Sequence, residues 1–368
     1  MADSLLLSAG HQLRDQAQAL AETTVSHEFG RNPRLRARYG PAGRDKSRQD
    51  AVCHFVFLAD ALDVGSPALF MDYVAWAKVL LVQRGVSGED MVQHLACMAY
   101  AVRELMPPPV AAGAVPMIDA ALAEVAAMPG TTPSLLDPGQ RLFQLAGEYV
   151  HALLGGYRAA ATRMVLDAAE RGEPVRELYL EVLQPALWEI GRLWQMNRIN
   201  VAQEHFCSAA TEVLMSQLLP QATPAAPCGH GVVVVCVSGD LHGLSARMVA
   251  DFFDMAGWDT YFCGANTPHA AVVEAVVERG ARVLAVSASM VCHLHTLQAL
   301  IAQVRADVRC AGLRVMVGGH PFSVEPALWQ TVGADGTAAD AQGAVQLANR
   351  WMAPAGLPAA GADNPAIP

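Results

Sequence analysis

The chain has 368 residues, is 53% hydrophobic and 16% charged, and carries a formal net charge of −10 at pH 7. That length suffices for two or three domains with large cores, and the acidic balance argues against nucleic-acid binding by the chain as a whole. No apolar run approaches the ~20 residues of a membrane span, and the eight cysteines, with no C-x-x-C among them, read as reduced thiols of a cytoplasmic protein.

Residues 1–138 read as an all-helical domain. The first 25 residues carry Arg14, Asp15 and Glu22 and read as a helix rather than a signal peptide. Residues 31–50 hold seven basic and two acidic side chains and read either as a solvated basic loop or as a site for carboxylates, phosphates or an acidic partner. Residues 50–62, 68–85 and 88–105 then repeat apolar residues at helical spacing, punctuated by Ser66-Pro67 and Ser87-Gly88. "MPPPVAAGAVP" at 106–116 reads as a breaker, and "MPGTTPSLLDPG" at 128–139 as a linker and domain boundary.

Residues 139–220 read as four helices, near 140–154, 157–171, 175–196 and 201–219, joined by connections short enough for an antiparallel bundle. A proline-rich linker follows at 220–231. From Val232 short apolar runs alternate with helical patterns: "VVVVCV", "WDTYFCG", "RVLAVSAS", "RVMVGG" and "ADGTAAD". Uniformly apolar strands in a βα repeat predict a flavodoxin-like, doubly wound parallel sheet over 231–352. Residues 353–368 read as a loose tail.

In such a sheet, ligands bind beyond the carboxyl ends of the strands. The first end carries Asp240 and His242, and the others carry Ser287-Ala288-Ser289, Gly318-Gly319-His320 and Asp335-Gly336-Thr337. Neither a G-x-G-x-x-G nor a Walker lysine is present, so this is not a phosphate cradle. Small residues at the tips leave room for something broad and flat.

The run Asp240-Leu241-His242-Gly243-Leu244-Ser245 resembles the D-x-H-x-x-G motif of cobalamin-binding domains, with Ser287, Ser289 and Gly318-Gly319 at the family's spacing. The resemblance implies that His242 is the lower axial ligand of cobalt in base-off cobalamin. The displaced nucleotide tail would then lie in a slot lined by Ser245, Ser287, Ser289, Gly318, Gly319 and Thr337. Asp240 is placed to accept the other imidazole proton, as a carboxylate behind a metal-bound histidine does. The sequence departs from the motif at Ser245, where the family has glycine, and at Ser289, where it has leucine or threonine.

Trp194, Glu204 and His205 resemble the W-x9-EH signature of the helical cap of CarH-type, light-sensing cobalamin regulators. Taken singly, Trp194 reads as a core aromatic and Glu204-His205 as a polar helix end. The resemblance implies adenosylcobalamin, with Trp194 and Glu204 against the 5'-deoxyadenosyl group on its upper face. CarH-type caps carry a histidine after the tryptophan, where this chain has Gln195. That departure implies a different outcome of the light reaction, with water or His205 replacing the missing histidine.

The order of a helical domain, cap and sheet resembles the photocobilins, which implies biliverdin as a second, non-covalent chromophore. Arg34, Arg36 and Arg38 would face its propionates, and Tyr39, His54 and Tyr73 its pyrroles. A ligand-free interaction domain is the competing reading of residues 1–138. The expectation is a light-sensing homo-oligomer that is not an enzyme, with a corrinoid methyl carrier of a methyltransferase system as the alternative. A cobalamin-dependent mutase would need an eightfold βα barrel, and none is present.

Overall fold

The computed structural model describes residues 8–353. The tail expected at 353–368 lies outside these residues beyond Ala353. The chain divides into two compact units. The first comprises residues up to Ala222 together with Met290–His295, and the second Thr223–Ser289 and the residues from Thr296 onward.

The first unit is helical. It begins with α1 (Ala9–Asp15), α2 (Ala17–Arg31), α3 (Arg34–Asp63), α4 (Pro67–Val82), α5 (Gly88–Leu105) and α6 (Pro108–Val125). Leu13, Leu20, Phe55, Leu58, Phe70, Met98 and Ile118 are fully buried and form its core. Two sequence expectations fail here. The basic stretch is helical, not a loop: α3 runs through it with one kink at Gly40 (φ 65°, ψ −171°), ahead of Pro41. Arginine and alanine are good helix formers, and proline fits the first turn of the segment that restarts after the kink. The expected breaker holds only at Met106-Pro107, which separate α5 from α6; from Pro108 onward it is helical. Pro108 opens α6, where its missing N–H costs nothing, and Pro116 lies inside a helix that buries Val110, Ala114, Val115, Ile118 and Ala121. Burial of that face outweighs the lost backbone hydrogen bond. Lys78 of α4 donates to the carbonyls of Val125, Ala126 and Met128, capping the end of α6.

The linker after α6 is pinned. Glu189 accepts from the backbone N–H of Leu135 (2.9 Å), and Arg192, paired to both oxygens of Glu189, donates to the Thr132 carbonyl (2.9 Å). Next come α7 (Phe143–Leu154), α8 (Arg158–Glu170), α9 (Val175–Leu178), α10 (Gln184–Gln195) and α11 (Val201–Leu218). A π turn at Tyr179–Leu183 joins α9 to α10, so these two form the one long helix the periodicity predicts. Helix α7 packs on α8, α10 and α11.

The second unit is a five-stranded parallel sheet in the order β2-β1-β3-β4-β5, built from β1 (Gly231–Cys236), β2 (Asp259–Phe262), β3 (Val283–Ser287), β4 (Arg314–Gly318) and β5 (Gly336–Thr337). The connecting and flanking helices are α12 (Gly243–Met255), α13 (His269–Glu278), α14 (Leu294–Ala306), α15 (His320–Val324), α16 (Leu328–Thr331) and α17 (Ala341–Met352). Central β1 is buried along Val232–Cys236, whereas edge strand β2 alternates. That contrast is the signature of helices covering both faces. The order 2-1-3-4-5 reverses between β1 and β3, which puts the crevice at their carboxyl ends.

Candidate functional site

At that switch point, β1 gives way to a loop whose Gly239 (φ 88°) donates its N–H to Asn266 Oδ1 (2.8 Å). Asp240 is fully buried. Its Oδ1 accepts from His242 N (3.0 Å) and faces His242 Nδ1 (2.8 Å), while Oδ2 accepts from Ser289 N (2.6 Å). One carboxylate thus ties the tip of β1 to the tip of β3 and orients the imidazole. A carboxylate at Nδ1 requires a proton there, which leaves the ring's lone pair on Nε2. The His242 side chain is 63% exposed, so the ring stands out of the crevice on a rigid base. Burial and the neighbouring Asp240 carboxylate push the Cys236 thiol up to about 12, so Cys236 is an uncharged floor under the loop.

The other predicted tip residues gather round this point. Ser245 Oγ donates to the His242 carbonyl (3.2 Å) and lies 3.5 Å from Ser287 Oγ. Ser287 is in register with Gly318, and Val317 with Thr337. A Cβ on Gly243 would come 3.2 Å from that of Ala265, whereas one on Gly318 would find its nearest neighbour at 3.7 Å. Gly319 has φ 115°, and a Cβ there would lie 2.1 Å from the Ala288 carbonyl oxygen, so only glycine fits. Leu241 is exposed beside His242, and Leu244 follows in the first turn of α12. The Thr337 hydroxyl is buried without a hydrogen-bond partner. An orphan hydroxyl beside glycine-lined strand tips fits a polar ligand reaching between them. An imidazole with its lone pair presented outward fits a cobalt that needs one axial nitrogen. The residues therefore suit a base-off corrinoid. No cluster of three or more His, Cys, Asp or Glu side chains suited to a metal ion occurs among the described residues.

In the first unit, Trp194 ends α10 and Glu204 and His205 open α11, whose start is held by a capping box between Asn200 and Gln203. Glu204 Oε2 lies 2.5 Å from His205 Nδ1, and Ser208 Oγ donates to Glu204 Oε1 (2.7 Å). Trp194 is half-buried and, unlike a core aromatic, meets partners from α4 and the turn after it: the ring centroid of Trp76 at 6.4 Å and the Arg84 guanidinium at 5.2 Å. Gln195 is buried, and its side-chain amide donates to the Trp76 carbonyl (3.0 Å). A groove between α8 and α11, lined by Arg158, Arg163, Asp167 and Gln217, contains none of the predicted residues.

The six residues expected around biliverdin divide. Arg34, Arg36 and Arg38 are exposed on α3. Arg38 and Tyr39 both bind Asp90 Oδ2, at 2.6 and 2.7 Å. Burial opposes the charge on Asp90, but hydrogen bonds from Tyr39 and Ser87 and the Arg38 charge hold its carboxyl below the usual range. His54 and Tyr73 pair in the core, Nδ1 to Oη at 2.7 Å, with Phe57 stacked on Tyr73 at 3.8 Å. Burial, with His94 beside it, pushes His54 down to about 3. Sequence reasoning missed Asp90 and Arg84, and reads Trp76 as one more core aromatic of the N-terminal helices, whereas it is 40% exposed. The basic residue in "VQRG" after α4 was the one available signal, and it is shared by many helix ends.

The B12 binding domain family matches residues 231–346, and a second B12 binding domain family matches residues 145–219. The HTH-type transcriptional repressor CarA of Myxococcus xanthus is 31% identical over 134 residues, which cover 36% of this chain and 44% of CarA. The chain thus spans less than half the length of that relative. Dimethylamine corrinoid protein 3 of Methanosarcina acetivorans is 24% identical over 207 residues, 55% of this chain and 96% of the relative. The Methanosarcina barkeri dimethylamine corrinoid protein is 24% identical over 213 residues, 57% and 98% respectively. Among solved structures, the Methanosarcina barkeri monomethylamine corrinoid protein superposes with a TM-score of 0.51 at 20% identity, covering 57% of this chain and all of that one, a likeness of fold. No helix among the described residues is long and apolar enough to cross a membrane.

Proposed function

We propose that this cobalamin-binding chain is a light sensor that holds adenosylcobalamin base-off with His242 beneath the cobalt. Bound adenosylcobalamin supplies a cobalt–carbon bond that light cleaves. The chain's own part is to hold and to report. Asp240 fixes the Nδ1–H tautomer of His242, Ser245, Ser287, Ser289 and Thr337 offer hydrogen-bonding groups to the tail, and Gly318-Gly319 leave it room. Trp194 and Glu204 present an indole and a carboxylate toward the adenosyl group. The observation that carries the sensing part is the attachment of Trp194 to α4, which lies outside both B12 binding domain matches. Trp76 and Arg84 thus tie the cap to a helical region that neither match includes. CarA, a transcriptional repressor by name, supports a regulatory role.

Biliverdin belongs to this reading as a second chromophore of α1–α6, taken up without a covalent bond. The expected assembly is a homo-oligomer whose state changes with light. The second reading is a corrinoid methyl carrier. The comparisons favour it, because corrinoid proteins predominate among the relatives and are matched over nearly their whole length. One experiment separates the two. The full chain is loaded with adenosylcobalamin in the dark, and absorbance and light scattering are followed through green illumination. A sensor changes both within the exposure. A chain whose scattering stays unchanged while its absorbance reports cleavage, and which accepts a methyl group onto its reduced corrinoid from a methylamine methyltransferase, is a carrier.

A further inference from the structure

We infer that Arg84 is a positioning residue for Trp194, and that with Trp76 it forms a clamp through which the N-terminal helices register what lies against the cap. The inference rests on the cobalamin reading above and adds the route by which occupancy reaches the rest of the first unit.

Arg84 follows α4, just before the turn made by Gly85 (φ 89°). Its Nη1 donates to the carbonyls of Leu80 and Gln195, both at 3.0 Å, and its Nη2 to the Trp194 carbonyl at 3.2 Å. The same guanidinium lies 5.2 Å from the centroid of the Trp194 ring. One side chain therefore holds both the backbone and the indole of Trp194. Its charge also sits at the carboxyl end of α10, where the last carbonyls lack helical partners and the helix dipole is negative. Two further bonds close the joint: Gln195 Nε2 to the Trp76 carbonyl (3.0 Å) and Asn197 Nδ2 to the Gln83 carbonyl (3.3 Å). Asn197 has φ 54°, a conformation uncommon for a residue with a side chain. The turn after α10 is closed by Asn197 N to the Trp194 carbonyl (3.0 Å) and Arg198 N to the Leu193 carbonyl (2.8 Å), and Asn197 carries it to the residue that follows α4.

The rings continue the joint inward. Trp76 lies 6.4 Å from Trp194 and 6.3 Å from Tyr73, and Tyr73 is hydrogen-bonded to buried His54. A joint serving only to glue helices would bury its indoles. Trp76 is instead 40% exposed, and Trp194 is half-buried. Both rings keep accessible surface for a ligand while their backbones and the guanidinium fix their places. A bulky upper ligand pressing on Trp194 must therefore displace the guanidinium or be shaped to its present place. Displacement reaches α4 through the Arg84–Leu80 bond, whereas a ligand that fits leaves α4 as it is, so the two kinds of ligand are told apart there.

The test uses the full chain in the dark, titrated with adenosylcobalamin and with hydroxocobalamin, with amide hydrogen exchange measured over residues 76–84 in each complex. The wild type is expected to prefer adenosylcobalamin and to show different exchange with the two forms. Arg84→Ala should lower that preference about tenfold and abolish the exchange difference, while the spectrum of the bound cofactor keeps its histidine ligand. Arg84→Lys, which keeps the charge but not the planar fork, should restore little of it. An exchange difference and a preference unchanged in Arg84→Ala would overturn the inference, as would identical exchange with the two forms in the wild type. If Arg84→Ala fails to fold, Trp76→Phe carries the same test. A wild type that binds neither form through a histidine removes the cobalamin reading itself, which the spectrum reports separately.

Discussion

Asp240→Asn tests the proposal that Asp240 prepares His242 as a cobalt ligand. The carboxylate receives at least three N–H groups: His242 N and Nδ1 on one oxygen, and Ser289 N on the other at 2.6 Å. An amide has one acceptor oxygen. If that oxygen faces His242, the new NH2 meets the Ser289 N–H, donor against donor. If it faces Ser289, the NH2 meets the His242 N–H and ring, and the proton must move to Nε2, removing the lone pair intended for cobalt. Either choice forfeits a hydrogen bond to a charged group, about 1.5–3 kcal/mol, at a carboxylate that is itself fully buried. Changes to carboxylates behind metal-bound histidines typically cost about 10–100-fold in affinity, and the same range is expected here. The assay is a cobalamin titration at pH 7 followed by absorbance, which reads affinity and the base-off, histidine-ligated spectrum together. Wild-type affinity with an unchanged spectrum in Asp240→Asn would refute the reasoning.

Other changes test neighbouring parts. Gly319→Ala forces a Cβ to 2.1 Å from the Ala288 carbonyl oxygen at φ 115°; thermal melting should show the sheet unit destabilised by at least ~2 kcal/mol, and an unchanged melt would contradict the geometry. Thr337→Val removes a buried hydroxyl without a partner; the apo protein should be as stable or more so, while cobalamin binding weakens if that hydroxyl serves the tail. His54 is neutral in the native state down to about 3 through burial, whereas the unfolded chain takes up its proton near ~6.5. Between those values the unfolded state binds the proton and the native state does not, so stability falls as pH falls. From pH 7 to 5 the wild type should lose about 2 kcal/mol through this group, a loss that denaturant titration should find missing in His54→Phe. Trp194→Ala should bind adenosylcobalamin and methylcobalamin with more nearly equal affinity; unaltered discrimination would make Trp194 a packing residue only.

Legibility in the sequence followed the range of each interaction. The central strands β1, β3 and β4 are apolar without alternation because both sheet faces are covered there, and that pattern survives in one dimension, whereas edge strand β2 alternates. Asp240 and His242 lie two residues apart, so their pairing was readable too. The Asp240–Ser289 bond was not, since it depends on β1 and β3 being neighbours. Trp76 and Arg84 stand more than a hundred residues before Trp194, and no local pattern links them. Asp90 claims Arg38 and Tyr39 across about fifty residues, which divides a cluster that looks continuous in the chain. The two helix errors had one source. Proline and glycine mark breaks locally, whereas packing of the buried face decided the outcome at Pro116, and the backbone absorbed Gly40-Pro41 in a kink.

The central claim is that His242 binds cobalt from below. Electron paramagnetic resonance of the full chain loaded with cob(II)alamin tests it directly, comparing natural-abundance protein with protein carrying 15N-histidine. A single nitrogen ligand from histidine turns the superhyperfine triplets into doublets on labelling, and His242→Ala removes that change. Triplets that persist in the labelled protein would mean that cobalt keeps its own benzimidazole base, and the account built on His242 would be wrong.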